Sequence, residues 1–278
     1  MTARPRPGRR WWRWLPLLPA LFLLWLFALW PPPAWYRTHF PAETAFMRMR
    51  RADAPLFSRV ERRYEPVPLD RVASVMALAA ITGEDANFWE HGGIDYESMR
   101  KALGYRRAAF EWDDTRDRQE LRRALGRAWE RRRKLRGAST ITQQLAKNLY
   151  LSPSRNPLRK VKEAVTAYRL ERALGKRRIL ELYLNVAEMG DEVWGVEAAS
   201  RLYFRKPAAK LSRYEAAALA GLLPFPLRSN PVKKPGRMKW RQNLIMRRMA
   251  GERIEIPPDD AVVPAGVDLD NLFKRDSE

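Results

Sequence analysis

Between Arg13 and Arg37 the chain carries no charged residue. The centre of that run, LPLLPALFLLWLFALW, is apolar throughout, and about 20 such residues are what a helix needs to cross a bilayer. Trp11, Trp12, Trp14, Trp30 and Trp35 bracket it as interfacial aromatics do. Arg4, Arg6, Arg9, Arg10 and Arg13 precede it. Basic residues mark the cytoplasmic flank of a span, which predicts a cytoplasmic tail at 1–13, a span at 14–36 and export of all that follows. The rival is a cleavable signal peptide. No small-x-small site follows the apolar run, where Ala28, Leu29, Trp30 and three prolines stand, so the reading is an uncleaved signal anchor.

Export shapes the other inferences. The formal net charge is +21 and there is no cysteine. A chain this basic expects an anionic partner: nucleic acid, anionic lipid or a phosphorylated substrate. Export argues against nucleic acid. Without cysteine, neither a disulfide framework nor a thiolate metal site is available.

Past the prolines at 31–33, an aromatic-bearing linker is expected over 37–64, then a mainly α domain over 65–250 and a loosely held Pro- and Asp-rich tail over 251–278. Asp70 reads as the cap of a helix with Val72, Val75, Met76 and Ala79 facing inwards. The charged segment at 105–136 reads as a solvated helix or as a basic surface lying against lipid headgroups. Helices are expected after Arg159, through 176–188, over 196–204, from a capping box at Ser212–Glu215 to Gly221, and over Met238–Met249. No Gly-rich phosphate loop, dinucleotide fingerprint or internal repeat occurs.

The densest polar stretch is GASTITQQLAKNLYLSPSRNPLRKVKE, from Gly137 to Glu163. Thr140 with Gln143 makes a capping box, and Ile141, Leu145 and Leu149 recur as one apolar helix face. Gln143, Gln144, Lys147 and Asn148 lie off that face. Two ordinary amphipathic helices would explain the pattern. Thr is a poor helix-interior residue, however, and adjacent glutamines add nothing to a core, so these side chains read as donors facing a polar ligand. Glu84 stands where an apolar helix ends, a place where a carboxylate is partly desolvated and suited to acid–base work. His91 with Asp95 has the spacing of a metal pair, yet the only other histidine is His39, so zinc is not expected.

Taken in order, EDANFWEHGGID, GASTITQQLAKNLYL, RKVKE, KRRILELYLNVAEMGDEVWGVEAASRLYF and LSRYEAAALAGLLPFP resemble family 51 of the glycosyltransferases, the peptidoglycan glycosyltransferases, and within it the monofunctional membrane-anchored biosynthetic transglycosylases. The resemblance covers residues 65–235. It implies a lysozyme-like α-helical domain with a head lobe and a membrane-proximal jaw, in the bacterial inner membrane with the catalytic domain periplasmic. The implied reaction is polymerisation of lipid II, with undecaprenyl diphosphate released and the anomeric centre inverted. Glu84 matches the family's general base. Lys147, Arg155, Arg159 and Lys162 match the cations around the diphosphate, and Ser139, Thr140, Gln143 and Gln144 match neutral donors. Glu163 matches a second essential glutamate that organises those cations or a divalent metal, Mg2+ or Mn2+, the one cofactor the resemblance leaves open. Asp85, Phe88 and His91 match positions that shape the cleft. The implied partners are lipid II, the growing glycan chain and inner-membrane lipids, with division or elongation proteins open and no nucleic acid.

Two features depart from the family pattern: Ala138 stands where a glycine is usual, and the segment between the first two motifs is longer. A lytic enzyme would also need a single glutamate, but no diphosphate clamp. A transpeptidase is suggested by Ser98-Met99-Arg100-Lys101 and Ser154-Arg155-Asn156, but no Lys-Thr-Gly follows. A non-catalytic scaffold would have no use for both glutamates with the cation set.

Overall fold

The computed structural model describes residues 17–53, 61–103, 105, 111–130, 139–151 and 157–253. The expected cytoplasmic tail, most of the C-terminal tail, Gly137, Ala138 and Arg155 lie outside them. The fold is mainly helical. In chain order the helices are α1 (Leu17–Phe27), α2 (Ala45–Asp53), α3 (Ser74–Glu84), α4 (Tyr96–Leu103), α5 (Thr115–Glu130), α6 (Ile141–Tyr150), α7 (Pro157–Leu174), α8 (Lys176–Val186), α9 (Val196–Phe204), α10 (Arg213–Leu222) and α11 (Gly236–Met249). Three short strands, β1 (Arg63–Tyr64), β2 (Glu188–Gly190) and β3 (Val193–Trp194), form one sheet in the order β1-β3-β2.

The core is built on α8, whose residues from Ile179 to Val186 are all buried apart from Glu181. Such all-round burial suits a central helix. The α6 helix packs on α7, α8 and α2, while α10 packs on α3 and α11. Ile141, Leu145 and Leu149 all face inwards, as their spacing predicts. Both expected capping boxes form: Thr140 with Gln143 opens α6, and Ser212 with Glu215 opens α10.

Asn185, near the end of α8, grips the backbone of Val67, accepting from its N–H at 2.8 Å and donating to its carbonyl at 2.8 Å. Glu181 accepts from the Leu69 N–H at 2.6 Å. These bonds fix the extended chain that leads into α3. After the β2–β3 hairpin the chain folds back so tightly that a Cβ on Gly195, whose φ is +83°, would collide with the Asn185 carbonyl. Only glycine fits there.

Three expectations change. Asp70 does not cap α3: it lies in a 3-10 turn at Leu69–Arg71, and α3 starts at Ser74 after Ala73. The α7 helix starts at Pro157 rather than after Arg159, because proline suits a first helical turn. Met47, in the stretch expected to be a linker, is buried in the main core together with Tyr36. The span expected over 14–36 is not one helix, because α1 ends at Phe27 and a 3-10 turn occupies Pro33–Arg37. Among the described residues, no helix is long and apolar enough to cross a membrane.

Candidate active site

Glu84 is the last residue of α3, so the apolar helix that packs under α10 delivers its carboxylate to the end of the core. Its side chain is only 8% exposed, and a buried charge requires partners. Gln144 Nε2 donates to Oε2 at 2.9 Å, and Arg241, from α11, donates to Oε1 at 2.7 Å. The same guanidinium nitrogen of Arg241 donates to the Gly83 carbonyl at 2.7 Å. The sequence reading missed Arg241. The only local signal was a basic residue within an apolar helical pattern.

Asp85, one residue on, is structural in its contacts. Its carboxylate accepts from the Ile141 N–H, at the start of α6, at 2.8 Å, where the helix dipole favours negative charge. It also accepts from His91 Nε2 at 2.9 Å. The Gly93 N–H donates to His91 Nδ1 at 3.1 Å, so the ring proton facing Asp85 sits on Nε2. Asp95 does not join His91. It caps α4 by accepting from the Ser98 N–H and hydroxyl. Phe88 is fully buried and takes its place in the core, so it shapes the cleft only by packing.

Along α6 the polar residues divide. Thr140 and Gln143 are buried and exchange the two bonds of the capping box, and the Thr140 hydroxyl also donates to the Gly93 carbonyl at 2.7 Å. Their bonds close the start of α6 and tie it to Gly93. Gln144, Lys147 and Asn148 instead line a cavity of about 530 Å³. The Gln144 amide bridges that cavity to Glu84, since its oxygen accepts from the Tyr183 hydroxyl at 3.2 Å while its nitrogen serves Glu84. Arg50, Arg228 and Arg237 share the lining with Lys147, and Glu188 is its one carboxylate. Burial holds the Lys147 ammonium below the ordinary lysine pKa; Glu163 and Glu84 oppose that shift, and Arg159 and Lys160 add to it.

On α7, Glu163 is 3% exposed and paired with Arg159, whose NH1 donates at 2.9 Å, and with Lys160. Lys160 also donates to the Ser139 hydroxyl at 2.8 Å, which ties the start of α6 to α7. Both Glu163 oxygens therefore bind cations. Among the described residues no three acidic or histidine side chains gather as metal ligands, and Arg159 and Lys160 make Glu163 an ion-pair hub. Lys162 points elsewhere. It donates to the Trp25 carbonyl at 2.6 Å and lies over the Trp25 ring, while Arg169, two turns on, donates to the Phe27 carbonyl at 2.7 Å. In this structure Lys162 caps the C-terminal end of α1.

The family model described as Transglycosylase matches residues 107–250. The chain is 38% identical over 268 residues to the biosynthetic peptidoglycan transglycosylase of Bordetella pertussis (strain Tohama I), covering 91% of this chain and 100% of that protein. It is 40% identical over 253 residues to the protein of the same name from Azoarcus sp. (strain BH72), covering 89% and 98%. To the one from Aromatoleum aromaticum it is 42% identical over 212 residues, covering 75% and 80%.

Proposed function

The chain belongs to the transglycosylase family, and from that membership we infer that it is a peptidoglycan glycosyltransferase that polymerises lipid II into linear glycan strands. The observation that carries this reading is the pairing of one buried carboxylate, Glu84, with a neighbouring cavity walled by Lys147, Arg50, Arg228 and Arg237. Cleaving a neutral glycosidic bond has no use for that many cations; expelling a diphosphate does.

In this mechanism Glu84 takes the proton from the 4-hydroxyl of the acceptor sugar. The bonds from Gln144 and Arg241 orient the group. The freed oxygen pair attacks the anomeric carbon of the growing chain from the face opposite the diphosphate. The C–O bond to the diphosphate breaks, its electron pair leaves with undecaprenyl diphosphate, and the anomeric centre inverts. Lys147 stabilises the charge that develops on the departing oxygen. Glu163 holds Arg159 and Lys160 in place beside it.

The finer architecture belongs to the same proposal. The core helices form the head of a lysozyme-like domain that also has a membrane-proximal jaw. The N-terminal apolar segment anchors the enzyme in the inner membrane, with residues 1–13 cytoplasmic and the catalytic domain periplasmic. The exposure of Leu17, Leu18, Leu21, Leu23 and Leu24 supports the anchor, because so much apolar surface on one helix calls for a lipid or protein cover. Purified full-length protein given lipid II should yield glycan polymer insensitive to a β-lactam. Cleavage of preformed strands with no polymer made would favour a lytic enzyme instead.

A further inference from the structure

The cavity has a wall that the chemistry above does not use. Helix α2, in the stretch expected to be a linker, contributes Phe46 and Arg50 to it. Phe46 packs edge-on against the buried Trp194 ring at 5.7 Å, and the Lys147 ammonium lies 5.9 Å from the Phe46 centroid. One turn later, Arg50 meets Glu188 of β2 at two points: Nε lies 2.8 Å from Oε1, and NH2 donates to Oε2 at 2.9 Å. Glu188 is thus a nearly buried carboxylate paired with a cation from α2, in a cavity that a cation from α6 also lines.

We propose that Glu188 is a positioning residue for Lys147, and that α2 belongs to the catalytic cavity because its Arg50 holds Glu188 in place. The proposal rests on the lipid II reading. It follows from the Arg50–Glu188 pair and Lys147 lining one cavity, with the Arg50 guanidinium and the Lys147 ammonium both over the Phe46 ring. A lone ammonium in a confined site tends to shed its proton or turn toward solvent, and an opposing carboxylate on the fixed β2–β3 hairpin counters both. The carboxylate needs its own support, because burial pushes the Glu188 pKa up while Arg50 and then Lys147 pull it down, with Glu192 of the hairpin turn pushing it up again. The charges that act most on Lys147 are Glu163, Arg159 and Lys160 from α7 and Glu84 from α3. Arg228 and Arg237 line the same cavity.

The test is the pH profile of lipid II polymerisation by the full chain. In Glu188→Gln the alkaline limb, set by loss of the Lys147 proton, should move to lower pH by about one unit. Lowering the pH should restore most of the rate. The same substitution in a Lys147→Arg background should give no movement, since a guanidinium keeps its proton. Should Glu188→Gln fail to fold, Arg50→Gln reads the same coupling from the other side: Glu188 then loses its charge more readily, so the acid-side loss should begin at higher pH, and Arg50→Lys should restore it. Loss of rate by an equal factor at every pH, or profiles that superimpose on the wild type, overturns the positioning role. A wild type that makes no polymer overturns the functional reading and this one with it.

Discussion

Arg241 reaches Glu84 from 157 positions away in the sequence, and one of its nitrogens holds both the carboxylate and the carbonyl of the preceding Gly83. Both partners are almost wholly buried, with side-chain exposures of 4% and 8%. Removing one partner of such a pair strands a charge and costs about 3–5 kcal/mol. Arg241→Ala should therefore lower the unfolding free energy by that order, read from denaturant titration. Glu84→Gln in the same chain should recover part of the loss. Strictly additive effects would mean that the two groups do not sense each other.

Glu84 and Glu163 have different contacts and should fail differently. Glu84→Gln should lower kcat by about 10²–10⁴-fold, the usual cost of losing a general base, with little change in lipid II binding. Glu163→Gln releases Arg159 and Lys160 and should weaken donor binding, so KM rises as kcat falls. Steady-state kinetics on purified lipid II separates the two. Identical patterns would assign both glutamates one job.

Lys147→Ala should lower kcat by about 100-fold, the scale for removing one donor to developing charge. A second expectation concerns stability. Burial lowers the folded-state pKa of Lys147 below the ordinary 10.5, so between those two values the unfolded chain binds more protons than the folded one. The Lys147 contribution to stability therefore rises with pH through that window. Below the folded pKa the ammonium stays charged, and its full desolvation cost is present. Lys147→Met should abolish the rise, measured as the change in denaturation midpoint between neutral and alkaline buffer. A wild-type midpoint that falls as steeply as that of the variant would contradict it.

Lys162 should not behave as a diphosphate cation. Its bond to the Trp25 carbonyl ties α7 to the end of α1, and bonds to charged groups contribute about 1.5–3 kcal/mol. Lys162→Ala should speed amide exchange across α1 while reducing turnover far less than Lys147→Ala does. Equal losses of turnover in the two variants would return Lys162 to the cation set.

Much of the scaffold was legible because its rules are local. Thr140 with Gln143 and Ser212 with Glu215 are set by residues three apart, and the inward face of α6 is set by residues four apart. The same locality set the cap in which Thr140 and Gln143 take part. What pattern could not reach was tertiary. Nothing near Arg241 announces Glu84, nothing near Arg50 announces Glu188, and the pointing of Lys162 depends on where α1 ends. Phe88 was read as part of the cleft because it matches a family motif position, and a ring that size gains from the burial it has in the core.

Asp85 binds the first amide of α6 and the His91 ring at once, and it is covalently next to Glu84. The proton acceptor and the helix that carries Gln144 and Lys147 are therefore riveted to one joint. A strand that lengthens one disaccharide at a time must advance through the site after every bond formed. The gap between base and cation is set like the jaws of a fixed calliper. The enzyme would thus register each new sugar against an unmoving edge.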